Sequence, residues 1–428
     1  MNRRTKTLLT TLIVLTITAI VVVGFVLAWD VFDFSGKLDV LMETDFYGRN
    51  EPLLRSDVDV KLSSSGAASL PEDERALIEN YFTCYYASLG SFYHENMSRF
   101  YGTHSVDEII DELALDFEID AAKNAPADFS FDECEVFLYV VTRKTTNEGT
   151  IELTLKTSAT AKYGFSPLKT ELIDENHTFI IPAEGDALII AHSTDRISRK
   201  YAEYVISETI GTSGYEISDL SYTYFDPFLP KIKELFSEKY ELFSEKLLAM
   251  LSEKNPIFEA EYPYDFLHAA DFARKSYGHS EKYGSYDEND VNFCSQCLAE
   301  GGIPMDAQGD KLTQWKWYGY NENNAREHRG CTQSWFDRKR FWTYAAENTG
   351  FGLVAEQSEQ IAVGDIIQLM SDGEPILQCI VTGTILDKNN EPIDYLVCTD
   401  KIKNKPLSLL WNGEIRGLSI IGYNTANM

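Results

Sequence analysis

The sequence predicts an α+β fold with an N-terminal transmembrane helix, a small α+β cone-like module, a long helical connector and a C-terminal α+β domain. Three observations predict it. Residues 8–29 carry no charge and are mostly apolar, and a helix of that length crosses a hydrocarbon core of ~30 Å. After this segment, apolar residues recur first at helical spacing and then at every second position. This succession of a helical and a strand pattern occurs twice along the chain. A seven-residue repeat lies between these two occurrences.

The charge pattern limits the location and the partners. The formal net charge is −29, and so acidic a surface repels phosphate backbones, so we expect no nucleic-acid partner. Arg3, Arg4 and Lys6 precede the apolar stretch, and such residues stay on the cytoplasmic side. This predicts a single-pass plasma-membrane protein, held through residues 8–29, with an extracellular C-terminal region. A cleaved signal peptide is the alternative, but the stretch ends in Leu-Ala-Trp-Asp, a poor cleavage site.

Changes of pattern divide the chain into five segments. These are a cytoplasmic tip and anchor (1–29), a flexible stalk (30–70), the small module (71–211), the connector (212–256) and the C-terminal domain (257–428). The stalk contains a Ser-, Gly- and Ala-rich run at 63–69 that has no periodicity and is typical of a spacer.

The small module begins with two helical patterns, and Ser105 is a good N-cap for the second. Alternation then predicts four strands, near 136–142, 151–157, 178–181 and 187–191. This order is similar to that of SnoaL-like and cystatin-like modules. That similarity concerns the fold alone and indicates no function.

The connector contains a long helix over residues 229–254. The pattern Leu-Phe-Ser-Glu-Lys starts at Leu235 and again at Leu242, and a seven-residue apolar repeat makes a seam that suits another helix. Two alternatives follow. The helix packs on the protein's own domains, or it forms a homodimer and the protein serves as an assembly or sensing scaffold.

The C-terminal domain is organised around a short helix that begins at Asp290 and ends at Gly301-Gly302. Asp290 is the expected N-cap, and the glycines tolerate the positive φ with which helices often end. Phe293, Cys294, Cys297 and Leu298 share its buried face. Four strands are predicted later, at 365–370, 377–384, 395–399 and 415–423, which places one helix before an antiparallel sheet.

Residues 262–425 resemble the bacterial "putative amidase" domain, a papain-like group of cell-surface amide hydrolases. The matching residues are Asn292-Phe293, Ser295-Gln296, Gly301-Gly302-Ile303-Pro304, Trp315, Ser334-Trp335, Gly364-Asp365 and Ile380-Val381-Thr382. The resemblance implies a papain-like fold with a nucleophilic cysteine at the helix start and a histidine on a later strand. In this sequence Asp290 stands at the nucleophile position, and Gln378 or its neighbour stands at the histidine position.

These two substitutions favour a pseudoenzyme. We expect the domain to bind cell-wall peptide or a surface protein in its cleft, with Asn292, Gln296, Trp315 and Trp335 as the binding residues. The alternative is an active cysteine amidase or peptidase that acts on cell-wall peptides or amides through Cys294. That thiol lies four residues into the helix, which displaces it by ~6 Å from the helix start. The sequence leaves the question of enzyme activity open and favours the inactive protein.

Cofactors and metals are not expected. The seven cysteines are too sparse for a disulfide framework, and their pairing is open. Cys294 and Cys297 form a C-x-x-C motif, but no spacing selects the second pair of ligands that a zinc site needs. His279 and His328 are expected at the surface.

Overall fold

The computed structural model describes residues 57–424 with several gaps. The gaps are 103–104, 126, 165–168, 212–216, 218–221, 252–258, 277–288, 308–313, 317–329, 347–352, 388, 390 and 412. His279 and His328 therefore lie outside the described residues, as does the predicted membrane segment 8–29.

The N-terminal half, residues 57–250, combines helices with a long antiparallel meander. Its elements are β1 (Asp57–Leu62), α1 (Ser64–Ser69), α2 (Glu72–Ser91), α3 (Val106–Asn124), β2 (Phe131–Thr145), β3 (Thr150–Tyr163), β4 (Lys169–Pro182), β5 (Ala191–Thr194), α4 (Ile197–Ile210), α5 (Tyr222–Phe225) and α6 (Leu229–Met250). Ser105 caps α3 as predicted, because its hydroxyl accepts from the backbone N–H of Glu108 at 3.1 Å. Strand β1 and helix α1 lie within the predicted stalk, so the last residues of that stretch are folded.

The C-terminal half, residues 259–424, contains helices followed by an antiparallel sheet. Its elements are β6 (Tyr262–Pro263), α7 (Phe266–Ser276), α8 (Asp290–Glu300), α9 (Gln333–Phe336), α10 (Arg338–Ala346), β7 (Leu353–Gln357), β8 (Ile366–Ser371), β9 (Glu374–Leu386), β10 (Pro392–Cys398), β11 (Ile402–Lys403), β12 (Lys405–Pro406) and β13 (Ile415–Tyr423). Strands β8, β9, β10 and β13 correspond to the four strands that the alternation predicts.

The described residues form two sheets, and one of the sheets takes strands from both halves. The first sheet has the order β1-β2-β3-β4-β11, with β5 also paired to β4 and with β1 parallel to β2. The second has the order β12-β10-β9-β8-β13-β6, with β7 also on β13. The pair β4–β11 joins the halves, since Ile402 lies opposite Leu172 and Lys403 opposite Glu171.

Helix α6 lies in the core between the halves. Phe236 of α6 stacks on Phe117 of α3 with ring centroids 4.1 Å apart. The same hydrophobic cluster contains Met250 of α6 together with Ile367 of β8 and Val381 of β9. Burial of this apolar face, at roughly 25 cal/mol per Å² of apolar surface, ties the N-terminal half to the second sheet.

The predicted fold class is wrong. In place of a cone-like α+β module, a helical connector and a papain-like domain behind a transmembrane helix, the described residues have mixed α/β structure with two sheets. No helix in the described part of the chain is long and apolar enough to cross a membrane. Residues 55–428 cluster into one unit because β11 and α6 each contribute to both halves.

A buried polar network lies inside the N-terminal half and is centred on Asp111 of α3. Its carboxylate accepts from Tyr81 Oη at 2.7 Å, from Arg199 Nη1 at 2.6 Å and from His192 Nδ1 at 2.7 Å. His192 in turn bonds His177, with ring nitrogens 3.0 Å apart. Burial alone would raise the pKa of Asp111, but the facing His192 and Arg199 hold it well below its usual value.

Candidate functional site

The N-cap of helix α8 lies one residue earlier than the sequence predicts. Asn289 is the N-cap residue, and its carbonyl accepts from Phe293 N at 2.8 Å. Asp290 is the first helical residue and is not the N-cap that the sequence predicts. The far end is as predicted, since Gly301 caps the helix and Gly302 has φ of +93°. The side chain of Asp290 is therefore available to other elements.

The carboxylate of Asp290 is held by two other elements of the C-terminal half. Arg338 at the start of α10 forms a bidentate pair with it: Nε donates to Oδ2 at 2.8 Å, and Nη2 donates to Oδ1 at 3.0 Å. The backbone N–H of Gln378 on β9 donates to Oδ2 at 2.6 Å. The residue is only 2% exposed. A bidentate arginine pair of this kind fixes a carboxylate and lowers its tendency to act as a nucleophile.

Gln378 lies next to Asp290, and its side chain belongs to a row of amides and guanidinium groups. Its Oε1 accepts from Gln368 Nε2 at 2.7 Å, and Gln368 Oε1 accepts from Arg416 Nη2 at 2.6 Å. Arg416 also lies 3.8 Å from the ring centre of Trp342. A neutral amide takes no proton near pH 7, so this position supplies no general base.

All seven cysteines are buried as thiols. Cys294 is fully buried on α8, and burial, with smaller contributions from Cys297 and Cys379, raises the pKa of its thiol well above the usual value. His268, the one histidine among the described residues of the C-terminal half, is exposed on α7. The geometry therefore does not prepare Cys294 for nucleophilic attack, and its role as an alternative nucleophile stays a prediction.

The four predicted binding residues are all in the interior. Asn292 Oδ1 accepts from Trp335 Nε1 at 2.7 Å, and Trp315 Nε1 donates to Ser295 Oγ at 3.0 Å. Gln296 is 1% exposed. These bonds hold α8 against its neighbours, and a direct contact of these side chains with a ligand stays a prediction.

A cavity of about 280 Å³ opens beside Asp290, and we call it the Asp290 cavity. The N-terminal half contributes Leu172 and Glu175 from β4 and Lys200 from α4 to its lining. The C-terminal half contributes Asp290, Arg338, Leu377, Asp400 and Lys401. Among the described residues, no group of three or more His, Cys, Asp or Glu side chains could hold a metal ion.

Asp400 is a carboxylate of this cavity whose pKa is shifted. Burial, together with the nearby carboxylate of Asp290, raises the pKa of Asp400 to about 7. The sequence alone assigned Asp400 no role. Arg338 was missed as well, because its partner Asp290 is distant in the chain and the sequence contains no signal that pairs them.

The fold and the site together define a domain in which a buried helix, packed on an antiparallel sheet, presents a carboxylate at its start. Residues 263–421 match the family model described as "Putative amidase domain", so the predicted resemblance to this family is confirmed for those residues. Over 155 residues the chain is 26% identical to YhbB, an uncharacterised protein of Bacillus subtilis (strain 168), a match that covers 33% of this chain and 43% of that protein. The match thus spans less than half of that relative. No solved structure matches the chain significantly.

Proposed function

We propose that residues 263–421 are an amidase-family domain that has lost cysteine hydrolysis and binds a ligand in the cavity beside Asp290. One observation carries the proposal. At the family's nucleophile position stands Asp290, whose carboxylate is held by Arg338 and by the N–H of Gln378. A carboxylate in this state would have to form an anhydride to expel an amine from an amide, which is chemically unfavourable. The Asp290 cavity, which lies beside this carboxylate, would be the binding site.

Cysteine hydrolysis has two further requirements, and neither is supported by the described residues. The thiol must be exposed and its pKa lowered, whereas Cys294 and Cys379 are fully buried with raised pKa values. An imidazole must lie within hydrogen-bond reach of the thiol, and the strand position beside Asp290 carries Gln378. Binding without hydrolysis is the function that these groups can perform.

Thiol labelling tests the loss of chemistry. We expect iodoacetamide to label each of the seven native cysteines at least about a hundredfold more slowly than free cysteine, because all are buried. Intact-protein mass spectrometry measures the number of labels. Labelling in urea is the control and should reach all seven.

The active enzyme is the alternative, and it makes the opposite prediction. Stoichiometric labelling of Cys294 in the native protein, together with hydrolysis of a cell-wall peptide that Cys294→Ala abolishes, would falsify the proposal. The buried position of Cys294 supports the inactive protein.

The proposal places this domain outside the cell, where cell-wall peptide or a surface protein is the partner. Support comes from the acidic composition, with a net charge of −29, and from the basic residues Arg3, Arg4 and Lys6 at the start of the chain. Digestion of residues 57–424 by a protease added to intact cells checks this location. Protection of these residues until the cells are broken would contradict it.

Dimerisation through α6 stays a separate prediction, and the structure identifies the side chains that test it. Leu242 and Leu248 are 66% and 58% exposed on α6, whereas Leu235 is partly buried against the core. We expect the double variant Leu242→Glu, Leu248→Glu to turn a dimer into a monomer in light scattering, with Lys246→Glu as the matched control on the same helix. A monomeric native protein would contradict the prediction.

A further inference from the structure

We propose that the Asp290 cavity binds a free amino acid, or another zwitterion of that size, whose ammonium group pairs with Asp400. The inference rests on the proposed function, since it concerns the same cleft, and it names the class of ligand. It also assigns a role in binding to the N-terminal half, because β4 and α4 form one wall of the cavity.

The size of the cavity limits the ligand. Its volume of about 280 Å³ lies just below the ~300–1,000 Å³ of most small-molecule sites. The N-terminal half closes one side, where Ile173 N donates to the carbonyl of Lys401 at 2.8 Å and Lys403 Nζ lies 2.8 Å from Glu171 Oε1. A single amino acid fits in this space, whereas only the end of a longer peptide would fit.

The charges of the lining select the ammonium group. Three of its four carboxylates already face a cation: Asp290 binds Arg338 at 2.8 Å, Asp195 binds Lys401 at 3.0 Å, and Glu175 binds Arg196 at 3.0 Å. The fourth, Asp400, accepts a hydrogen bond from its own backbone N–H and is attracted by Lys401 and Arg338, but it forms no ion pair with any residue that the structure describes. An ammonium group with three donors would supply the missing partner.

The positive charge of Lys200, at the cavity, suits the carboxylate of a zwitterion. Lys200 lines the cavity and is exposed, with no ion pair to any described residue. A ligand whose ammonium group meets Asp400 could place its carboxylate toward this lysine. The two groups therefore favour a zwitterion over a simple amine or a simple acid.

The ionisation of Asp400 predicts the pH dependence of binding. The charged groups around it are Asp290, Arg338 and Lys401, and Glu175, Asp195 and Lys200 complete the lining. Burial and Asp290 raise the pKa of Asp400 to about 7, and only its ionised form attracts an ammonium group. Affinity should therefore increase about tenfold between pH 6 and pH 8.

Titration calorimetry on the full-length chain tests the inference with five probes: glycine, L-alanine, D-alanine, ethanolamine and propionate. We expect the three amino acids to bind more tightly than ethanolamine, and propionate to bind least. Asp400→Asn should weaken amino-acid binding at least tenfold at pH 8 and remove the pH dependence. Lys200→Gln should weaken the amino acids but leave ethanolamine unchanged.

Two controls separate binding from folding. Asp271→Asn changes an exposed carboxylate on α7, remote from the lining, and should bind as the native chain does. Asp400→Asn should melt at the native temperature or above, because it removes a carboxylate whose charge is disfavoured by desolvation and by the nearby Asp290. Equal binding by Asp400→Asn, tightest binding of propionate or no binding of any amino acid would each overturn the inference. The proposed function would be contradicted by labelling of Cys294 together with peptide hydrolysis. These results do not depend on amino-acid binding, so the two failures are distinguishable.

Discussion

Asp290→Cys is expected to create the most reactive thiol in the chain. The new sulfur would stand in the first turn of α8, where the helix dipole favours an anion. It would also face the guanidinium of Arg338, which binds Asp290 at 2.8 Å, and the N–H of Gln378. Both lower a thiol pKa, and the Asp290 cavity would admit the reagent to this position, so we expect alkylation by iodoacetamide at pH 7 at least ~100-fold faster than at any native cysteine.

The controls for this variant use the same contacts. Asp290→Cys combined with Arg338→Met should lose most of the gain, because the cation that stabilises the thiolate is absent. Asp290→Cys combined with Gln378→His should move the pH profile of alkylation toward the pKa of an imidazole, ~6.5. A thiol at 290 that reacts no faster than Cys294 would show that this position is not the family's nucleophile position.

The sequence predicted the elements of this fold better than their assembly. The cap at Ser105, the meander and the end of α8 at Gly301 all follow from local patterns of capping and alternation. The joining of the halves depends on β11, a strand of two residues, and on a buried face of α6 that the sequence presents as a heptad seam. Contacts between residues so distant in the chain leave no local signal.

In the site, too, local features were predicted from the sequence and long-range contacts were not. Counting from Asn292 placed Asp290 at the helix start, and the strand motif placed Gln378 nearby; in the structure the two are joined by a hydrogen bond of 2.6 Å. Arg338 lies 48 residues from Asp290, and a long-range ion pair is not visible in spacing. The wall that β4 gives to the Asp290 cavity was also missed, because the small module was treated as independent.

We expect Asp111→Asn to destabilise both halves of the protein, because the two halves share one hydrophobic core. Asp111 is 4% exposed and pairs with Arg199, also 4% exposed, at 2.6 Å. Arg199 keeps Asp107 at 2.5 Å and Glu203 at 3.2 Å as partners, so removal of the Asp111 charge should cost less than the ~3–5 kcal/mol of a buried pair that has no other partner. We expect the midpoint of urea unfolding to fall accordingly, and Asp111→Asn combined with Arg199→Met to lose less than the two single variants together.

Tryptophan fluorescence makes this experiment a test of the assembly as well. Five of the six tryptophans lie at position 315 or later, whereas Asp111 lies in the N-terminal half. Because Phe117, on the same helix as Asp111, stacks on Phe236 of the common core, loss of the N-terminal half should expose the hydrophobic surface of the second sheet. The fluorescence transition should therefore shift together with the circular dichroism transition. A fluorescence midpoint unchanged by Asp111→Asn would show that the C-terminal half unfolds independently, and the two halves would then be separate domains.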